Sequence, residues 1–541
     1  MADRRSRKKP VRRKPDRRVA PGKQRADRRR SSRFARRDFD ALGTLLDGAV
    51  DLVRRWTVKS AGGTGPIFPD LDNVDLESAL VEPLPERGRP ARLLLADLEG
   101  KVLPYLRDNG NPRFFGYVMS PPSAAGIAAD LIASAVDQNL TAWRSAPAAT
   151  ELERLVVDWL RQITAMPDGS GGLLTSGGSM ANLTALAVAR TRHAPPETVR
   201  GGLGELGGSL MTVYASDQVH MSIPRAVQLL GLGTAALRTL PTDARLRLDA
   251  TALEKAIAQD LRRGNRPFCV VASAGTTATG AVDPIERIAR VARRHKLWFH
   301  VDAAYGGPLR LSPSHRSVVT GLGEADSVSL DPHKWLYAPL DVGCILFRDL
   351  DAARGTFASR GDYATVFESG ARASFAFFDH GPELSRRFRA LKVWMILKYH
   401  GTTRIGRRIE EEVELARLLG GALQNQDELE LLAPVDTSIV CFRYVPLALR
   451  RSRPGARRPR SGRTFPEQTE AEIDRLNENL LRHLQAEGRV YLSNARVHGR
   501  FALRACLVNF RTTRSDIHAL IDAVVKAGGE LTAPAGTVRT G

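Results

Sequence analysis

Two short segments carry residues suited to covalent chemistry on an aldehyde. Lys334 stands in Asp-Pro-His-Lys-Trp, and Asp302 stands upstream in His-Val-Asp-Ala-Ala-Tyr. A lysine amine can hold an aldehyde as a Schiff base, and a carboxylate can keep a ring nitrogen protonated so that the ring withdraws electrons. Lys334 and Asp302 are therefore candidates for anchoring and activating an aldehyde-bearing ring.

A Gly- and Ser-rich segment upstream is typical of a phosphate site. Residues 175–182, Thr-Ser-Gly-Gly-Ser-Met-Ala-Asn, follow an apolar run and open a helical pattern. Backbone N–H groups at a helix N-terminus, next to small residues, favour an anion. Gly178 and Ser179 are the candidates, although an ordinary Gly-rich turn with a Ser cap explains the segment about as well when it is taken alone.

Taken in order, these motifs resemble those of the group II pyridoxal phosphate-dependent amino-acid decarboxylases, from about Asn111 to about Ile517. The resemblance implies that Lys334 holds pyridoxal phosphate and that Asp302 pairs with its ring nitrogen. It places His220, in Ser-Asp-Gln-Val-His, against the cofactor ring, where an imidazole also orients the substrate carboxylate. An isolated His at this position would instead be read as an ordinary helix-start residue.

The resemblance also assigns roles that the residues alone leave open. Tyr363, at the end of a segment of small and polar residues from Gly355, corresponds to a proton donor on a mobile loop, and a plain exposed Tyr is the alternative. Further cofactor contacts are implied for Thr277, Ala304, Asp331 and His333. Substrate contacts are implied for Phe115 and Ser120, with core packing as the alternative for Phe115.

Two features of the predicted site concern its side chains at Met180 and Lys334. Met180 stands where the family usually has Glu, so the phosphate argument depends on the backbone and not on that side chain. Lys334 must lose its proton to react, and burial beside His333 and other positive charge is expected to lower its pKa.

The order of elements predicts an α/β fold with a mainly parallel central sheet and flanking helices, because short apolar runs alternate with helical patterns. By resemblance this is the fold type I of pyridoxal phosphate enzymes. Ligands of such sheets lie beyond the carboxyl ends of the strands. Strands are predicted at residues 173–174, 210–214, 268–272, 297–301, 327–330 and 342–347.

Four regions are expected along the chain. They are a disordered basic tail (1–37), an N-terminal helical dimerisation segment (38–145), a large cofactor-binding domain (146–400) and a small C-terminal α+β domain (401–541) with an Arg-rich loop (450–463). Apolar residues at helical spacing from Phe39 to Val53 predict an amphipathic helix. The resemblance implies that this helix packs across a homodimer.

The net charge of +21 is concentrated in the tail, where residues 1–37 contain 18 Lys or Arg and 3 Asp. Large apolar residues are nearly absent there, so we expect no folded core. We interpret the tail as a solubilising extension rather than an arm for nucleic acid or another polyanion, because no aromatic residue interrupts it before Phe34.

The four cysteines lie in apolar, strand-like runs and predict free thiols in a reducing compartment. No Cys or His spacing indicates a metal site, and no secretory signal or membrane-length apolar run is present. We therefore expect a cytoplasmic protein.

The expected activity is decarboxylation of an L-amino acid, and overall resemblance favours an aromatic one. Other reactions on the same scaffold remain open, namely aldehyde-forming oxidative deamination, transamination, a lyase reaction, or decarboxylation of glutamate or diaminobutyrate. Retention of both His220 and Tyr363 favours decarboxylation. A polyanion-binding protein with a vestigial cofactor site is the alternative outside enzymes.

Overall fold

The computed structural model describes residues 21–69, 71, 75–358, 375–451 and 465–533, with side chains from residue 35 onward except at residues 199 and 451. The chain forms two compact units. One comprises Met1–Val58 with Asp70–Leu106, and the other Lys59–Pro69 with Arg107–Gly541. Residues 107–145, which we expected to belong to the N-terminal helical segment, therefore lie in the larger unit, and both sheets lie there too.

The smaller unit is helical. Its described elements are most of α1 (Pro21–Gly62), α2 (Leu76–Leu80) and α3 (Ala91–Asp97), which continues into a π-helical turn (Leu98–Val102). Leu42, Leu46, Val50 and Val53 lie along α1 as the spacing predicts, and Phe39 is 77% exposed. One apolar face of α1 is therefore uncovered by the described residues of this chain.

The structure differs from the expectation of a disordered tail to residue 37, because α1 begins at Pro21. Arg, Lys, Ala and Gln, which dominate residues 23–37, have high helix propensity, and no proline follows Pro21 until Pro66. The helix therefore extends from its apolar part back into basic sequence. Residues 1–20 lie outside the described part of the chain.

A seven-stranded sheet forms the centre of the larger unit, in the order β1-β7-β6-β5-β4-β2-β3. Only β7 runs antiparallel to its neighbours. The strands are β1 (Gly171–Thr175), β2 (Met211–Ser216), β3 (Leu237–Leu240), β4 (Arg266–Ser273), β5 (Trp298–Asp302), β6 (Ser327–Leu330) and β7 (Gly343–Phe347). The predicted α/β class with a mainly parallel sheet is confirmed.

Sequence patterns located six of these strands and missed β3. The missed segment, Leu-Arg-Thr-Leu, has only four residues and lies at the edge of the sheet, where its pattern of burial is mixed. A short, half-polar edge strand gives too little alternation to be recognised.

Helices cover both faces of the sheet, since alternate strand residues point to opposite sides. Cys269 and Val271 of β4 pack in one apolar cluster with α6 and α8, and Val270 and Ala272 pack in another with α5, α9 and α10. The helices are α4 (Ala124–Val136), α5 (Pro147–Thr164), α6 (Gly178–His193), α7 (Thr198–Gly201), α8 (Ser222–Leu229), α9 (Ala250–Arg262), α10 (Ile285–Arg294), α11 (Leu350–Phe357) and α12 (Ala390–His400). None of the helices described in this chain is long and apolar enough to cross a membrane.

The C-terminal part has the expected α+β character. An antiparallel sheet in the order β10-β11-β9-β8 packs against α13, α15 and α16. Its elements are α13 (Thr402–Leu423), β8 (Leu429–Leu431), β9 (Ile439–Tyr444), α14 (Leu447–Arg451), α15 (Glu467–Glu487), β10 (Ser493–Val497), β11 (Arg500–Cys506) and α16 (Arg514–Thr532). Most of the predicted Arg-rich loop lies outside the described residues.

Candidate active site

Parallel strands bring distant segments of the chain to one edge of the large sheet. The segments that follow β1, β2, β4, β5 and β6 at their carboxyl ends line one cavity of about 340 Å³. Nine of the predicted site residues line it: Gly178, Ser179, His220, Thr277, Asp302, Ala304, Asp331, His333 and Lys334. This is the position that a ligand takes in a sheet of this type.

Lys334 lies in the turn after β6 and is held by that turn. Its Nζ lies 3.0 Å from Oδ2 of Asp331, and its backbone N–H donates to the Asp331 carbonyl. His333 donates from Nδ1 to the carbonyl of Val342, 2.7 Å away. The lysine side chain remains 20% exposed, so its amine can be reached from the cavity.

The structure corrects the expectation that the pKa of Lys334 is lowered. Burial alone would lower this pKa, but the carboxylates of Asp331 and Asp302 more than compensate, and the pKa is raised. The opposite charges next to the amine are the reason. The described site therefore holds Lys334 as a cation.

Asp302 ends β5 as a buried carboxylate with several hydrogen-bond donors. It accepts from Asn182 Nδ2 at 2.8 Å, from the backbone N–H of Ala304 at 3.1 Å and from Ser329 Oγ at 3.2 Å. Burial would raise the pKa of Asp302, yet the nearby charge of Lys334 and the other partners lower it. The side chain is therefore ionised and able to pair with a cation in the cavity.

His220 follows β2 and lines the cavity as a neutral imidazole. Its Nδ1 lies 2.8 Å from Ser222 Oγ and also accepts from the Ser222 backbone N–H at 3.3 Å. Burial lowers the pKa of His220. With Nδ1 accepting, the proton of the neutral ring is on Nε2.

The phosphate candidates lie at the N-terminus of α6. Gly177 precedes this helix with φ 150°, and no side chain caps it, so the first backbone N–H groups are left for a ligand. A Cβ on Gly178 would lie 2.8 Å from Asp331 Oδ2 and 3.2 Å from the Ala304 methyl, so glycine keeps this corner open. Thr277 lines the same cavity.

Two predicted residues, Phe115 and Ser120, are not among the described residues that line the cavity. Phe115 is 0% exposed and packs in the apolar cluster of the C-terminal sheet, which corrects the expected substrate contact in favour of core packing. Ser120 donates to the carbonyl of Lys334 at 2.6 Å, so it supports the lysine turn, and its substrate contact stays a prediction. Tyr363 lies outside the described residues.

Sequence reasoning missed a set of residues that hold the site together. Asn182 ends the glycine-rich motif, and His300 lies two residues before Asp302 and hence on the same face of β5. That spacing was the available signal. Ser222 gave none, because its importance comes from its contacts with His220 and Asn182.

The segment that follows Lys334 contacts the C-terminal part of the larger unit, which begins at α13. Trp335 stacks on Tyr305 with ring centroids 4.7 Å apart, and the Tyr305 hydroxyl lies 2.6 Å from Ser438 Oγ. Trp335 Nε1 and the Tyr337 hydroxyl both donate to Glu412 of α13. Burial raises the pKa of Glu412 to about 7. These contacts join the lysine turn to α13 and to the segment just before β9.

The residues present fit pyridoxal phosphate. Lys334 lies in the cavity to bind the aldehyde once its amine has lost a proton, an ionised and buried carboxylate can pair with the ring nitrogen, and an open helix N-terminus can bind the phosphate. Asp331 Oδ1 is buried with no hydrogen-bond partner among the described residues, so it can accept from a donor that a ligand brings. The described residues contain no His, Cys, Asp and Glu group that could hold a metal.

The fold and the site together define a pyridoxal phosphate-dependent α/β enzyme. Residues 75–445 match the family described as "Pyridoxal-dependent decarboxylase conserved domain". The match spans more than half of the chain, and the chain belongs to this family of decarboxylases.

Individual relatives agree with this assignment. The chain is 34% identical over 452 residues to an aromatic-L-amino-acid decarboxylase from Bacillus atrophaeus, covering 84% of this chain and 88% of the relative. It is 30% identical over 448 residues to a phenylacetaldehyde synthase from a Rosa hybrid cultivar, covering 81% and 85%. The crystal structure of Oryza sativa TDC with PLP and tryptamine matches with a TM-score of 0.81 at 30% identity, covering 91% of this chain and 99% of that one.

Lys334→Ala is expected to abolish covalent attachment of the cofactor and turnover, because no other lysine lines the described cavity. Borohydride reduction followed by peptide mass spectrometry should label Lys334 in the wild-type protein and nothing in the variant. The exposed Lys398 of α12 provides a control, and Lys398→Ala should retain both label and activity. Labelling of another lysine in Lys334→Ala, with activity kept, would contradict the assignment.

Proposed function

We propose that this decarboxylase converts an aromatic L-amino acid to the corresponding amine and carbon dioxide. The observation that carries the reaction type is the convergence of Lys334, Asp302 and His220 on one cavity. The aromatic preference is supported by the relatives, which include an aromatic-L-amino-acid decarboxylase and a tryptophan decarboxylase.

When bound, pyridoxal phosphate supplies a ring that withdraws the electrons left at Cα when the carboxylate leaves. Asp302 supports this role because it is buried, ionised and held by three donors. A fixed anion next to a ring nitrogen keeps that nitrogen protonated without any rearrangement of solvent.

His220 is suited to orienting the substrate. Its ring is neutral and carries its proton on Nε2, because Nδ1 accepts from Ser222. An N–H donor beside the cavity can bind one oxygen of the substrate carboxylate and turn the bond to be broken toward the ring face. A neutral imidazole also avoids an ion pair that would stabilise the substrate carboxylate and so oppose its loss as neutral carbon dioxide.

Lys334 changes its protonation state with the charge around it. Its ammonium form is supported by Asp331 and Asp302. Once Asp302 is paired with another cation, it supports the charge on Lys334 less, so the amine loses its proton more readily and can act as a nucleophile.

The described cavity lining also favours an uncharged substrate side chain. It contains the exposed apolar side chain of Leu340 and the ring of Tyr305, and none of its described residues is an arginine. An acidic substrate such as glutamate needs a cation for its second carboxylate. Lys334 is already committed to the cofactor.

A second reaction, formation of an aldehyde, is favoured by one observation. The similarity to phenylacetaldehyde synthase is nearly as extensive as the similarity to the decarboxylases. That outcome consumes dioxygen and water and releases ammonia and hydrogen peroxide in addition to the aldehyde and carbon dioxide. We infer that protonation of Cα by Tyr363 decides in favour of the amine.

We further propose that the protein is a cytoplasmic homodimer. The uncovered apolar face of α1 supports the dimer, since Phe39, Leu42 and Val53 are all exposed in the single chain. The four cysteines are buried and free, which fits a reducing compartment.

A panel of amino acids tests the substrate class. Tyrosine, tryptophan and dihydroxyphenylalanine should be decarboxylated with a kcat/KM about tenfold or more above that for glutamate and diaminobutyrate, because a pocket without a second cation leaves an extra carboxylate unpaired. Carbon dioxide release gives the measurement. Preference for glutamate or diaminobutyrate would contradict the proposal.

Asp302→Asn should still bind the cofactor but lose roughly a hundredfold or more in kcat, because an amide does not stabilise a protonated ring nitrogen as a carboxylate does. Single-turnover kinetics on the loaded protein measure the loss. Asp326→Asn is the control. Asp326 directly precedes the amino end of β6, whereas the cavity lies at the carboxyl ends of the strands, so this variant should keep wild-type kcat. A rate near wild type in Asp302→Asn would place the electron-withdrawing role elsewhere.

Tyr363→Phe tests the reaction type, since it removes only a hydroxyl. We expect slower amine formation, little change in substrate affinity, and more aldehyde in air than under nitrogen, because dioxygen can then compete with protonation of Cα. Tyr399→Phe, at an exposed tyrosine of α12, should leave both products unchanged. Amine formation at the wild-type rate by Tyr363→Phe would show that this hydroxyl has no part in the reaction.

A further inference from the structure

A single buried amide connects Asp302, at the end of β5, with Ser222, the hydrogen-bond partner of His220 after β2. Asn182, 1% exposed, donates from Nδ2 to Asp302 Oδ2 at 2.8 Å and to Ser222 Oγ at 2.9 Å. Its Oδ1 lies 3.0 Å from Nε2 of His300. Both polar atoms of this side chain are therefore hydrogen-bonded, and both N–H donors are used.

The direction of each hydrogen bond follows from groups that have only one option. The ionised Asp302 can only accept, so Asn182 must present its NH₂ group to it and its oxygen to His300. At the other end, the Trp298 indole can only donate, and its Nε1 lies 2.9 Å from Ser327 Oγ. The Ser327 hydroxyl then donates to Nδ1 of His300, 2.9 Å away.

His300 consequently carries its proton on Nε2 and donates it to Asn182. Burial lowers the pKa of His300 to about 4, so the ring stays neutral and does not compete for Asp302 as a second cation. The register of β5 and β6 sets this arrangement, because His300 lies opposite Ser327 and Asp302 lies opposite Ser329.

The second branch runs from Asn182 to the imidazole. Because Ser222 Oγ accepts from Asn182, its own proton points to Nδ1 of His220. This contact fixes the Nε2–H form of His220. The same amide thus acts on the carboxylate and on the imidazole.

We propose that Asn182 is a positioning residue for the reaction, which holds Asp302 ready for the ring nitrogen of the cofactor and, through Ser222, sets the tautomer of His220. This inference rests on the proposed function. It assigns to one side chain the coupling of cofactor activation with substrate orientation. Ser222 serves only the substrate branch.

Two variants of Asn182 and one of Ser222 separate these effects. Asn182→Leu removes all three contacts at similar volume, and Asn182→Asp keeps the contact with His300 but places a second carboxylate against Asp302. Ser222→Ala leaves Asp302 untouched. Asn477→Leu is the matched control, because Asn477 is 0% exposed in α15 with its amide fully bonded to Ile473 and Tyr444.

The readouts are thermal melting, the dissociation constant for pyridoxal phosphate added to cofactor-free protein, the pH titration of the bound cofactor's visible absorption, and kcat and KM. Both Asn182 variants should lose about tenfold to a hundredfold in kcat, as expected for residues that orient a ligating side chain. They should also weaken cofactor binding several-fold and shift the pH titration. Ser222→Ala should mainly raise KM and leave the titration unchanged.

Asn477→Leu should lower the melting temperature without moving the other readouts. Wild-type titration, cofactor affinity and kcat in a folded Asn182 variant would overturn the proposal, whatever its melting temperature. Asn182→Asp decides the matter if Asn182→Leu does not fold. If the wild-type protein decarboxylates no amino acid of the panel, the proposed function fails, while cofactor affinity and titration still judge Asn182.

Discussion

The site depends on keeping one carboxylate ionised inside the protein. An unpaired buried charge costs several kcal/mol, and Asp302 avoids this cost through three hydrogen bonds and the nearby charge of Lys334. The donors come from α6, from the turn after β5 and from β6. Burial also excludes water, so the same carboxylate interacts more strongly with a cation than it would at the surface.

Asp302 must remain available to a ring nitrogen, and this requirement explains why the neighbouring histidines are neutral. Burial lowers the pKa of both His220 and His300. Two imidazolium cations next to Asp302 would compete with the ring nitrogen that it is meant to hold. In their neutral forms these rings have one donor each, the Nε2–H of His220, whose side chain lines the cavity, and the Nε2–H of His300, which donates to Asn182.

The C-terminal part of the larger unit contributes by anchoring the turn that carries Lys334. Trp335 and Tyr337, which flank the reactive turn, donate to Glu412 of α13, and Tyr305 contacts Ser438 at the start of β9. The lysine turn is thus packed between the strand ends of the large sheet and α13. A lysine that must exchange its covalent partner in each turnover benefits from such a rigid backbone.

The sequence by itself determined the α/β class, six of the seven strands of the large sheet and the types of residue that form the cavity. These features depend on local periodicity and on motifs that are contiguous in the chain. Only the tertiary structure decided that Phe115 belongs to the core, that Ser120 supports the lysine backbone, and that the pKa of Lys334 is raised. Asn182 emerged in the same way, since its partners lie 40 to 120 positions away in the chain. Which charges and hydrogen-bond donors meet depends on strand order and register, and these are set by packing between segments that no local pattern records.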